Sequence, residues 1–233
     1  MLFCVMQEIL LKKEFVDSYK LKKFSEYAIK KNSIRFPVVA NKNLASIVSF
    51  ITFDGHLTLK EGMFTFTAGA TPKLLVMADK TNTQFGIIGK LKQVVTNEYG
   101  TSYEYRFSNK PICRILALIG TPTGNKTKCS YLVPNWIKSN KQLSYAYLKT
   151  AFECEGGFWK EPNRERVRFA INKEESRLEG GINFLNELKS MLKLFDVATT
   201  NICIKGRKRA TLIISFDISA KSIETFKRVF NFV

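Results

Sequence analysis

Hydrophobic spacing along the chain changes period several times, and the order of the changes repeats. In LASIVSFITFDGHLTL (44–59), small and apolar residues recur at helical spacing, then an acid and a glycine precede a strand-like run. LTLK and MFTFTA alternate as hairpin strands. TPKLLVMADKTNTQFG opens with Thr and Pro, as a helix start should. KLKQVV and SYEYRF flank NEYG as a second hairpin, and PICRILALIG closes the segment as a helix. The same order begins again at YAYLKTAFECEGGFWK (145–160). There a helix is followed by FWK and VRFAIN as a hairpin, then by INFLNELKSMLKLF as a helix. NICIK and ATLIISF flank GRKR, and SAKSIETFKRVFNF forms a final helix. Asp54 and Glu155 occupy matching places, 101 residues apart.

The repeat sets the domain organisation. Residues 44–120 and 143–233 read as two halves of the order αββαββα, an α+β arrangement. Residues 121–142, rich in Thr, Asn, Pro and Lys, read as a surface linker, and residues 1–43 as an extension of one or two amphipathic helices.

One feature of the repeat is electrostatically unfavourable. The last turn of a helix carries unpaired carbonyls and partial negative charge, so a carboxylate belongs in the first turn instead. Both repeated helices nevertheless end on an acid, Asp54 before Gly55 and Glu155 before Gly156.

Composition narrows the function classes. With 37 Lys and Arg against 20 Asp and Glu, the chain carries a formal charge of +17, which points to a polyanion such as nucleic acid. An anionic membrane surface and a merely solvated lysine-rich surface are the alternatives. Five cysteines (4, 113, 129, 154 and 203) without CxxC spacing, and a single histidine, argue against a zinc cluster. Buried, reduced thiols in a cytoplasmic protein are expected. No apolar run approaches a membrane span, and the N-terminus lacks a basic leader and a cleavage site. Neither a nucleotide-binding glycine loop nor a nucleophile-and-base arrangement is evident.

IVSFITFDG (47–55) and LKTAFECEG (148–156), placed in this repeat, resemble the two-motif, single-chain LAGLIDADG homing endonucleases. That resemblance, covering about residues 44–233, implies a four-stranded antiparallel sheet in each half and a pseudo-symmetric saddle that lies along double-stranded DNA. It implies that Asp54 and Glu155 are the catalytic pair and bind a divalent metal, Mg²⁺ or another such as Mn²⁺. Two carboxylates at two negative helix ends repel and retain protons, and a cation reverses that balance. It further implies that Lys110 and Lys221, each two residues before an isoleucine at the start of a half's last helix, stand beside the scissile phosphates. A surface lysine beginning a helix is the competing reading. The sequence departs from the motif at Phe53, where the family usually has a small residue, and at Thr52 and Glu153 in the sixth position. Ser49 and Thr150 keep the third position small.

Alternation in the strands supplies a candidate DNA-reading face. In RVRFAIN, Arg166, Arg168 and Asn172 oppose Val167, Phe169 and Ile171. Lys205, Arg207 and Arg209 surround the last turn, while Lys90 with Lys92 and Glu104 with Arg106 share faces in the first half. Arg and Asn suit base edges, and lysines suit phosphates. His56, next to the Asp-Gly pair, has either a structural role or an approach to the metal.

The leading expectation is a monomeric, metal-dependent DNA endonuclease that makes a staggered double-strand cut with 3′ overhangs. The alternative is a non-cleaving nucleic-acid-binding protein on the same scaffold, such as an intron RNA maturase or a DNA-binding regulator. No intein splicing residues are seen at the ends, so an intron-encoded or free-standing protein is expected.

Overall fold

The computed structural model describes residues 7–97, 100–162, 164–206 and 211–231. The chain divides into two compact units, 1–124 and 125–233.

In the first unit the extension forms strand β1 (Glu8–Leu10), helices α1 (Lys12–Asp17) and α2 (Lys22–Lys31), and strand β2 (Val38–Val39), with β1 and β2 pairing antiparallel. The helices were expected; the two-stranded ribbon was not, because such short strands show no period. The repeat then runs α3 (Lys42–Thr52), β3 (Gly55–Thr58), β4 (Met63–Ala68), α4 (Thr71–Phe85), β5 (Lys90–Asn97), β6 (Gly100–Ser108) and α5 (Lys110–Leu118). In the second unit a short helix α6 (Asn135–Lys138) precedes α7 (Lys141–Glu155), β7 (Gly156–Glu161), β8 (Arg164–Glu174), α8 (Leu178–Lys193), β9 (Cys203–Gly206), β10 (Thr211–Asp217) and α9 (Ile223–Phe230). The αββαββα order expected of both halves is present. The sheets share one topology, β3-β4-β6-β5 and β7-β8-β10-β9, antiparallel throughout.

Asparagine starts three of these helices for the same reason. The side chains of Asn41, Asn109 and Asn140 accept hydrogen bonds from amides of the first turns of α3, α5 and α7, which lack intrahelical partners. Helix α3 is buried on every side from Leu44 to Thr52, and α7 is nearly so from Leu143 to Phe152. Each core is aromatic. Phe50 packs edge-on against Phe66 in the first unit, where Phe64 and Phe107 stack at 4.7 Å. In the second unit Phe152 meets Phe169 at 5.0 Å and Phe226 at 4.7 Å. Such pairs add about 0.5–1.5 kcal/mol each beyond area burial.

The segment read as a linker is folded onto the second unit. Val133, Trp136 and Ile137 are buried, and Lys173, itself 1% exposed, reaches from β8 to donate to the carbonyls of Lys126 (2.6 Å) and Cys129 (2.8 Å). Among the described cysteines, Cys113 is buried, and burial pushes its thiol up to about 12. Cys203 is exposed on the edge strand β9, contrary to the expectation of burial; Cys4 lies outside the described residues. Among the described residues no helix is long and apolar enough to cross a membrane.

Candidate functional site

Phe53 ends α3, its amide donating to the carbonyls of Ser49 and Phe50, and its ring is buried at 7% exposure. Asp54 follows, and its carbonyl accepts from the Thr67 amide at 2.8 Å, which fixes the acid to β4. The carboxylate remains partly open to solvent and pairs with Lys73, Nζ to Oδ2 3.2 Å. The Lys73 ammonium also stands over the Phe50 ring, 4.9 Å from its centroid. Lys73 sits in the first turn of α4, where the helix dipole favours an acid rather than a cation. The sequence reading missed this residue, although its unfavourable helix position was the signal that could have found it.

Glu155 is the last residue of α7 and is also partly exposed. Tyr131, from the segment docked on this unit, lies close enough to feel it. Burial pushes the Tyr131 hydroxyl far up, and the negative charges of Cys129 and Glu155 push it further. The Lys173 ammonium stands 3.9 Å from the Tyr131 ring centroid. Burial lowers the Lys173 ammonium to about 8. Lys173 continues the buried parity of Val167, Phe169 and Ile171, a pattern visible in the sequence but not used.

The glycine after each acid has a steric cause. A Cβ on Gly55 would stand 2.7 Å from the Ile51 Cα and collide with the Thr65 carbonyl. One on Gly156 would collide with the Phe152 carbonyl. The strand thus turns back so tightly against the last helical turn that only glycine fits, and the acid is held at the turn.

Lys110 begins α5 directly after its cap Asn109, and Lys221 lies in the 3₁₀ turn Ala220–Ser222 before α9; both are exposed. Gly62, with φ +64°, makes room for the Lys110 side-chain stem.

The outer sheet faces follow the register. In the first sheet His56, Thr65, Arg106 and Lys90 form one cross-strand row, and Thr67, Glu104 and Lys92 the next. His56 is exposed in that row. Arg106 pairs with Glu104, Nη2 to Oε1 2.7 Å. In the second sheet Asn172, Ile213 and Lys205 form a row, with Asn172 and Lys205 exposed. Arg166 and Arg168 both reach Asp217, each at 2.7 Å. Burial pushes the Asp217 carboxyl up, but hydrogen bonds from Arg168 and Arg166 and their charges outweigh it and hold the group below its usual range. Asp217, unnoticed in the sequence, therefore orders both guanidinium groups. Arg207 and Arg209 lie outside the described residues.

The donors at the two helix ends are partly exposed carboxylate oxygens, hard ligands of the kind Mg²⁺ and Mn²⁺ take. Among the described residues no three of His, Cys, Asp or Glu gather as a metal-binding group. A cation held at either carboxylate would therefore complete its shell with water or phosphate oxygens.

No family model matches the chain. It is 25% identical over 200 residues to the tRNA-splicing ligase RtcB of Pyrococcus abyssi, a match covering 81% of this chain and 22% of that protein. It is 30% identical over 168 residues to the replication factor C small subunit of Methanocaldococcus jannaschii, covering 66% of this chain and 9% of that protein. The chain thus spans about a fifth, or less than a tenth, of these relatives. Among solved structures it is similar to the homing endonuclease I-DmoI in complex with DNA and Mn, with a TM-score of 0.55, 16% identity, and coverage of 81% of this chain and 96% of that one. I-WcaI bound to its DNA recognition sequence gives a TM-score of 0.52 at 15% identity, covering 96% of this chain and 93% of that one. The N-terminal LAGLIDADG domain of DUF199/WhiA gives 0.50 at 14% identity, covering 88% and 91%. The fold of this chain is the LAGLIDADG homing-endonuclease fold.

Proposed function

We propose that the protein is a site-specific, divalent-metal-dependent DNA endonuclease that acts as a monomer and makes a staggered double-strand cut with 3′ overhangs. The observation that carries this reading is the duplicated acid: a partly exposed carboxylate stands at the C-terminal end of each of two buried helices, Glu155 as the last residue of α7 and Asp54 just past the Phe53 cap of α3, each directly before a glycine turn. I-DmoI and I-WcaI, which share the fold, are described with bound DNA, and I-DmoI with Mn. In this reading Asp54 and Glu155 act as a pair and hold the metal, which when bound supplies an acidified water and stabilises the departing 3′ oxygen. Lys110 and Lys221 place fixed positive charge beside the phosphates, and a charged group positioned in advance costs no reorganisation during the reaction. Lys90, Lys92 and Lys205 attract phosphates. Arg106, Arg166, Arg168 and Asn172, with Arg207 and Arg209, line the strands that read bases.

RtcB and the replication factor C subunit name different activities, and each matches over a small part of its length. We infer that what they share with this chain is a module found within proteins of unrelated function, so neither ligation nor replication passes to it.

A second reading, a non-cleaving nucleic-acid-binding protein that recognises DNA or intron RNA, is favoured by Lys73, whose ammonium pairs with Asp54. The two readings separate in one assay. Asp54→Asn and Glu155→Gln are each expected to lower Mg²⁺- or Mn²⁺-dependent cutting of a cleavable duplex more than ~100-fold while leaving duplex binding in place. Undiminished cutting by both variants rejects the assigned pair. Binding without cutting by the unaltered protein supports the second reading.

A further inference from the structure

Helix α2 of the N-terminal extension is firmly seated, yet it presents aromatic rings to solvent. Phe15 is fully buried against Tyr19 and Phe36. The Arg114 guanidinium on α5 lies 4.2 Å from the Tyr19 ring and donates to the Ser18 carbonyl. At the other end Asn32 accepts from Asn109 at 2.8 Å. With both ends fixed, Phe24 is 55% and Tyr27 63% exposed. Residues 24, 27 and 31 share one helix face with 23 and 30 beside them. The rings are interleaved with cations, Lys23 lying 5.5 Å from the Phe24 centroid and Lys31 5.6 Å from that of Tyr27. Residues 12–31 hold seven lysines against three acids.

Protruding rings on an anchored helix, set between lysines, fit a ligand that offers flat faces and a negative backbone together. Duplex DNA hides its base faces in the stack and needs only the cations. An interfacial membrane helix needs a continuous apolar face, which the lysines here interrupt. An unpaired strand offers both partners, bases for the rings and phosphates for the ammonium groups. Placement agrees, because Asn109 immediately precedes Lys110. The C-terminal turn of α2, with Lys30 and Lys31, therefore lies against the start of the helix that carries the proposed phosphate contact.

We propose that the α2 face is a binding surface for single-stranded DNA, with Phe24 and Tyr27 stacking on unpaired bases and Lys23, Lys30 and Lys31 holding the phosphates. The strand's identity as DNA rests on the proposed endonuclease function; the stacking surface does not. In that setting it grips a strand unpaired beside the cut.

The test uses the full chain in EDTA and fluorescence anisotropy with a labelled oligothymidylate, the same backbone with abasic positions, a random duplex and phosphatidylserine vesicles. The unaltered protein is expected to prefer the thymidylate strand over the abasic one by at least about fivefold, and Phe24→Ala with Tyr27→Ala to lose at least about tenfold on that strand alone. The altered protein should no longer distinguish the two strands, its duplex affinity should hold within about twofold, and its melting should be unchanged. Phe24→Tyr with Tyr27→Phe keeps both rings and should bind as the original does. Equal affinity of the unaltered protein for both strands, equal losses on strand and duplex, or a loss confined to vesicles overturns the proposal. Failure of the protein to cut any duplex, with strand discrimination intact, would reject the endonuclease reading and leave this surface standing.

Discussion

At the residue scale the chemistry turns on what surrounds each acid. Lys73 pairs with Asp54 through an ion pair that is partly open to water and so of modest strength, and in the proposed function it competes there with the metal. Lys73→Met is therefore expected to tighten Mn²⁺ binding about two- to fivefold in a calorimetric titration. Unchanged or weaker binding would show that the pair does not oppose the metal. Asp54 and Glu155 were legible because their place at a negative helix end conflicts with elementary electrostatics, and because the conflict occurs twice. Gly55 and Gly156 were legible as part of the same signature, although the carbonyls they make room for required the structure. Lys73 was not found because its partner lies 19 positions away across a hairpin. Phe53, bulky at a customarily small position, is accommodated as a buried residue.

At the element scale, periodicity located both copies of the αββαββα order, since the three helices and the inner strands of each copy hold their period long enough to be read, although the edge strand β9 is exposed along its whole length. Shorter pieces were lost. The β1–β2 ribbon and the four-residue helix α6 are set by tertiary contacts rather than by a local pattern. Lys173, at the buried parity of β8, helps dock residues 126–131, beside the Glu174 amide that donates to the Thr127 carbonyl and the Tyr131–Phe184 ring contact. In the folded protein its ammonium titrates at about 8, below the ordinary 10.5. Below pH 8 both states are charged and the burial penalty is fully present. Between about pH 8 and 10.5 the unfolded chain binds the extra proton, so stability rises with pH by up to about 3 kcal/mol. Denaturant melts from pH 7.5 to 10 should show that rise in the unaltered protein and lose it in Lys173→Met; an identical rise in both would assign it to other groups. Asp217 has the opposite linkage. Its lowered titration stabilises above the ordinary carboxylate range, and that contribution is lost as acid protonates it.

At the scale of the whole molecule, the net charge of +17 and the duplicated fold speak to one kind of partner. In the proposed function, basic residues along the outer faces of both sheets supply attraction that is independent of sequence, while arginines held by Asp217 and Glu104 are the ones assigned to base recognition. The extension adds a basic, aromatic surface anchored to α5. In the proposed function one chain uses two equivalent acids to cut both strands of a duplex. This is tested most directly by incubating the protein with a large pool of duplex DNA and Mg²⁺ or Mn²⁺, then sequencing every new end. The account predicts ends that recur at one long sequence, paired across the two strands with a 3′ stagger, dependent on added metal and absent with Asp54→Asn or Glu155→Gln. Ends that form without metal, fall at random, or persist when both acids are replaced by their amides would contradict it.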